Sequence, residues 1–131
     1  MHVCVCVCVC VCVCVCVCVC ADDTVLVDIL PLAEEYQSDH VRFKCETYIG
    51  RQTRHQGGQL PADTKLLYLL KCEEYSMEEH FETLLKVCSK LRVDYIKKSV
   101  HFSLLKPATQ VDLLYRRCKV VESQNYYDSP G

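Results

Sequence analysis

Four residues, Ala33-Glu34-Glu35-Tyr36, return 39 positions later as Cys72-Glu73-Glu74-Tyr75. Each copy ends an apolar segment of helical period and is followed by a polar turn and a second amphipathic segment. A helix pair with one apolar face cannot bury that face alone, so two stacked pairs sharing a core are the natural solution. Two copies are too few for a long solenoid. The expectation is an all-α fold of stacked helix-turn-helix pairs.

The helices can be placed from their punctuation. Asp22, Asp23 and Thr24 offer capping groups ahead of a helix over about residues 24–36, in which Pro31 predicts a kink or a late start. Ser38 is a candidate N-cap for a second helix through Val41, Cys45, Tyr48 and Ile49, with Gly50 as its stop and residues 51–60, RQTRHQGGQL, as a polar loop. A third helix over about 62–75 carries Leu66, Leu67, Leu69 and Leu70. Ser76 and Glu79 have capping-box spacing for a fourth, whose stripe is Met77, Phe81, Leu84, Leu85 and Cys88. A short helix near 92–99 leads to Pro107, well suited to a first helical turn, and a last helix repeats Val111, Leu114, Cys118 and Val121 to about residue 122. The tail 123–131, SQNYYDSPG, is expected to be unstructured.

Residues 3–20 are Val-Cys repeated nine times. A run of GT dinucleotides reads as GTG-TGT, valine-cysteine, and Met1-His2 fits the same alternation as ATG-CAT. The expectation is a translated microsatellite over residues 1–21, with the folded part beginning near Ala21. Two other readings of the repeat remain open: an apolar membrane-associating segment, which lacks a basic n-region and an A-x-A-like cleavage site, and a soft-metal thiolate site.

Setting the repeat aside changes what the composition says. The chain has 13 cysteines, which would suggest a secreted disulfide scaffold, but only Cys45, Cys72, Cys88 and Cys118 lie outside the repeat. Each sits in an apolar helical pattern, so all four are expected as reduced core thiols in a cytoplasmic or nuclear protein. The 15 basic and 17 acidic residues give a net charge of −2, with no basic face of the kind nucleic acid requires.

No cluster in the sequence points to catalysis, a cofactor or a metal. Adjacent glutamates on a helix point about 100° apart, so Glu34-Glu35 and Glu73-Glu74 are expected as solvated helix ends. Tyr36 and Tyr75 should wedge against the second helix of each pair. His40, His55, His80 and His101 have no metal-ligand spacing, and Cys88, eight residues after His80, belongs to an apolar stripe. Arg51 and Arg54, Lys97-Lys98, and Arg116-Arg117 with Lys119 are expected as solvated charges. Gly57-Gly58 is too isolated for a phosphate loop.

The segment VLVDILPLAEEYQSDHVRFKCETYIG resembles the closing helices of a BTB/POZ domain, in which an apolar run ends in an Ala-acidic-x-Tyr turn and a basic amphipathic helix follows with a cysteine-acidic pair, here Cys45-Glu46. LPADTKLLYLLKCEEYSMEEHFETLLKVCSKL resembles the first helices of the adjoining BACK region, and FSLLKPATQVDLLYRRC its later helices in BTB proteins of the MATH- and kelch-associated kind. The resemblance implies residues 22–58 as closing BTB/POZ-like helices and 59–122 as a BACK-like region. It also implies a truncated, non-catalytic adaptor of the kind that hands substrates to cullin-based ubiquitin ligases. A cullin scaffold and BTB-type dimerisation are the implied partners, both contacted mainly through a sheet-bearing part that would precede residue 24. The helix pair at about 62–91 corresponds to a region adding an auxiliary cullin contact. No small-molecule substrate is implied.

The alternatives are a self-standing α-helical interaction protein with a membrane-associating N-terminal segment, and a Cys-rich metal-binding protein. Membrane fractionation discriminates the first of these and the metal content of the purified protein the second, while long-read sequencing of the message across the Ala21 junction tests the microsatellite: an upstream exon spliced in near Ala21 is the expected result, and a message that truly starts at Met1 refutes it.

Overall fold

The computed structural model describes residues 22–56 and 59–128, all of whose regular structure is helical. Among the described residues seven helices follow one another: α1 (Asp23–Glu35), α2 (Asp39–Gln56), α3 (Ala62–Glu74), α4 (Glu78–Cys88), α5 (Val93–Lys98), α6 (Val100–Leu104) and α7 (Pro107–Asp128). The all-α class and the paired helices are therefore as expected. The Val-Cys repeat, and with it the membrane and thiolate-site readings, lies outside the described residues. The chain forms two compact units that divide between His55 and Gln56.

In the first unit, the Asp22 carboxylate accepts from the Val25 N–H at 2.8 Å, satisfying one of the free donors at the start of α1. Pro31 lies inside a continuous helix and does not delay its start. Leu26, Ile29, Leu30 and Ala33 of α1 and Val41, Cys45, Tyr48 and Ile49 of α2 are buried, each set at the three- and four-residue steps of one helix face. The Tyr48 hydroxyl donates to Asp23 at 3.1 Å, closing the pair at its open end.

Gly50 does not stop α2. It is buried, and the helix continues to Gln56, placing Arg51 and Arg54 on an exposed helical surface rather than in a loop. A glycine stop needs a left-handed residue and a chain reversal after it. Here Arg51-Gln52-Thr53-Arg54 are helix-compatible, and the Thr53 hydroxyl bonds back to the Ile49 carbonyl at 2.8 Å.

Within the second unit, α3 is the central helix, packed on α4, α5 and α6. It buries Leu66, Tyr68, Leu69, Leu70 and Cys72, more than one face, and Tyr68 was missing from the sequence-based stripe. α4 buries Leu84, Leu85 and Cys88. The short α5–α6 elbow is fastened to the first turn of α3: the Ser99 hydroxyl donates to Asp63 at 2.7 Å, and His101 Nε2 lies 3.4 Å from the same carboxylate.

α7 departs from expectation in two ways. It runs to Asp128, so Ser123–Asp128 continue the helix; residues 129–131 lie outside the described residues. Its buried face is also rotated from the apolar count. Leu113 and Thr109 are buried, whereas Val111 is 67% exposed and Cys118 is exposed, so only three of the four thiols outside the repeat are core residues. Polar side chains form part of the inward face because each finds a partner there, and a count of apolar residues therefore selects the wrong side.

Both helix pairs turn on the same hydrogen bonds. In the first, the Ser38 N–H donates to Ala33 O at 2.9 Å and the Gln37 N–H to Glu34 O at 3.2 Å, with Gln37 left-handed at φ 52°. In the second, the Met77 N–H donates to Cys72 O at 2.9 Å and the Ser76 N–H to Glu73 O at 3.4 Å, with Ser76 at φ 56°. This is a Schellman closure in both copies. It overrides the capping box: a Ser N-cap needs extended backbone, but closing α3 forces Ser76 left-handed, and the N-cap of α4 is Met77 with no side-chain bond. Non-glycine residues pay a steric cost at such a position. Gln37→Gly and Ser76→Gly should each raise unfolding free energy by about 0.5–1 kcal/mol, read as a higher denaturant midpoint at unchanged slope.

Candidate functional site

The second elbow carries an open cleft of about 270 Å³. Buried Cys72 and half-buried Phe81 give it apolar wall, Glu73, Ser76 and Glu78 its polar edge, and Lys106 and Thr109 the side contributed by the start of α7. Glu73 organises it. Its carboxylate accepts from the Lys106 N–H at 3.0 Å and from the Thr109 hydroxyl. Lys106 precedes the first residue of α7, so its N–H is among the donors a helix start leaves without an intrahelical acceptor. A carboxylate there also complements the positive end of the helix dipole. Glu73 is thus a side-chain cap supplied from another helix, not a solvated end.

The remaining glutamates behave as anticipated. Glu34 and Glu35 are exposed, and exposed Glu74 pairs with Lys71 of its own helix at 3.3 Å.

A second tether joins α7 to α4. Arg116 reaches Glu82 with two bonds, 2.8 and 3.2 Å, and its own-helix neighbour Asp112 at 3.0 Å. The bonds to Glu82, then those to Asp112, raise the guanidinium above its ordinary pKa, so it is charged at every physiological pH. Arg117 donates to the Ser89 carbonyl at 3.4 Å, where α4 ends and its free carbonyls attract a cation. Neither arginine is the solvated charge expected from sequence. The signal that could have found them is their position: they follow Thr109 and Leu113 on one helical face, opposite acidic and helix-terminal groups of α4.

The thiols sort by burial. Burial pushes Cys45 up to about 11, with help from neighbouring Glu46, and Cys88 up to about 12 against a lowering effect of Lys65. Both are neutral thiols at physiological pH, whereas nucleophilic attack needs the thiolate. Among the described residues, no group of three or more His, Cys, Asp or Glu is placed to hold a metal ion, and no helix is long and apolar enough to cross a membrane. His80 lies on α4 and His101 is engaged at Asp63, so the structure does not gather the histidines.

A first-unit cavity of about 360 Å³ lies at the corresponding elbow, lined by Ala33, Glu34, Gln37, Ser38, Asp39 and Arg42. Five of these positions, moved by the repeat offset, become Cys72, Glu73, Ser76, Glu78 and Phe81, which line the second cavity. The duplication extends beyond the four-residue motif to the concave surface it makes.

No family model, curated protein or solved structure matches the chain.

Glu73→Ala removes the acceptor of the exposed Lys106 N–H and leaves the Thr109 hydroxyl, in a part-buried bond, unpaired. It should cost about 2–3 kcal/mol of stability, with Thr109→Val costing about 1–2 kcal/mol. A double-mutant cycle by chemical denaturation should show that the two losses do not add.

Proposed function

We propose that the chain is a non-catalytic protein–protein interaction scaffold, a BTB/BACK-type piece related to the substrate adaptors of cullin-based ubiquitin ligases. One observation carries this reading: two helix-turn-helix elbows with the same hydrogen-bond register follow each other in the order the resemblance expects, the BTB-like closing pair before the BACK-like pair. Further support comes from what the polar side chains do. Glu73, Glu82, Arg116 and Arg117 hold helices to one another, and the buried thiols are neutral. These are the features of a part whose work is geometric.

The mechanism follows from stiffness. A Schellman turn closed by two backbone bonds, with a carboxylate cap from one helix to the next, fixes helix directions instead of letting them swing. An adaptor needs that property to hold a cullin-binding head at a set distance from a substrate-reading domain. In the resembled family the head precedes such helices, and the pair formed by α3 and α4 corresponds to its auxiliary cullin contact.

Affinity capture on an immobilised cullin N-terminal region tests the proposal. The product of a longer transcript, spliced in ahead of Ala21, should be retained firmly, and the 131-residue chain at least tenfold less well. Retention of neither, or equal retention of both, contradicts the adaptor reading.

A further inference from the structure

α7 carries an apolar stripe that the described residues leave uncovered. Val111 is 67% exposed, Tyr115 60%, and Cys118 is exposed, while Leu114 and Val121 at the edge of the same stripe are half-buried. Steps of three and four residues keep these five on one side of the helix over about three turns. The opposite side is committed: Thr109, Arg116 and Arg117 hold it to Glu73, Glu82 and the end of α4, with Leu113 buried among them. α7 cannot turn its stripe inward without breaking those bonds.

The stripe is complementary to itself when reversed. About a two-fold axis passing near Arg116, Val111 comes level with Val121 of a second copy and Leu114 with Cys118, so apolar meets apolar along the seam. The charges at its edge agree with the same reversal. Asp112 and Lys119 lie on one flank of the stripe, one in each half. In the antiparallel pair each Lys119 comes level with Asp112 of the other copy, whereas a parallel pair sets aspartate against aspartate and lysine against lysine. Asp112 gives one oxygen to its own Arg116 at 3.0 Å and is still 44% exposed, and a carboxylate accepts through both oxygens. The Lys119 ammonium lies over the Tyr115 ring, 5.4 Å from its centroid, and so stands at the rim of the stripe.

We propose that the outer face of α7 is a self-association surface on which two copies of this chain pair antiparallel, with the Asp112 and Lys119 of each copy facing the Lys119 and Asp112 of the other. Cys118 meets Leu114 and not its own counterpart, so the pair forms without a disulfide. A single helix pair of this length covers less than the roughly 1,200 Å² of a stable interface, and association is correspondingly weak, with a dissociation constant on the order of 100 μM. The surface is separate from BTB-type dimerisation, which the resemblance places ahead of residue 24, and it stands or falls independently of the adaptor reading.

Sedimentation equilibrium of the full chain, kept reduced, over about 10 μM to 1 mM should show monomer and dimer in exchange. Val111→Asp should weaken association at least tenfold, with unchanged circular dichroism verifying the fold. Lys119→Glu and Asp112→Lys should each weaken it about five- to tenfold, and an equal mixture of the two variants should recover it, because both flanking pairs are then opposite in charge. Isotope-filtered NMR on mixed labelled and unlabelled chains should join the methyls of Val111 and Val121. These residues lie about 15 Å apart along α7, so such contacts arise only between copies. A monomer throughout the range overturns the proposal, as does association indifferent to Val111→Asp or to Lys119→Glu, or contacts between copies that join Val111 only to Val111.

Discussion

The bond from the Met77 N–H to the Cys72 carbonyl, with its counterpart from Ser38 to Ala33, determines where this chain reverses. Each runs from a donor five residues beyond its acceptor and forces a left-handed residue between tyrosine and the next helix. The direction of the following helix is then set by the backbone, not by side-chain packing alone. Burial of Val41 and Cys45 in one copy, and of Leu84 and Leu85 in the other, follows from that direction. Without the closure the apolar faces would still exist, but nothing local would aim them.

Charge completes what the backbone begins. α7 belongs to the second unit because three polar groups on its inner face find partners: Thr109 at Glu73, Arg116 at Glu82, and Arg117 at the end of α4. Bidentate and charge-assisted bonds of this kind are more directional than apolar contact. They explain why the helix presents Val111, Tyr115 and Cys118 outward while holding a threonine inward. Among the described side chains of α7, Leu113 is the one large apolar group that is fully buried, so their hydrophobic contribution is small. Its orientation is chosen by ion pairs and caps.

That division explains what could be read from the residues. Helical class, the paired arrangement and the positions of α1, α3 and α4 were legible because apolar periodicity reports burial directly. Ser38 was legible as an N-cap, its hydroxyl accepting from the Val41 N–H at 3.3 Å, but Ser76 was misread, since it is compatible both with an N-cap and with a left-handed closure, and only the competition with the end of α3 decides between them. Gly50 failed as a stop for a related reason: a glycine permits a break but does not compel one. The rotation of α7 and the capping role of Glu73 were invisible, because both depend on residues more than 30 positions apart finding each other. The repeat announced the two elbows. It did not announce that the first turn of α7 would be capped at the second.

The uneven placement of the thiols outside the repeat has a practical consequence. Cys118 meets any oxidant or alkylating reagent at once, whereas Cys45, Cys72 and Cys88 can react only when their helices part. Three sulfur atoms distributed over α2, α3 and α4 therefore act as built-in clocks for local opening, one for each helix. The order in which they are consumed ranks the breathing of those helices without any added label.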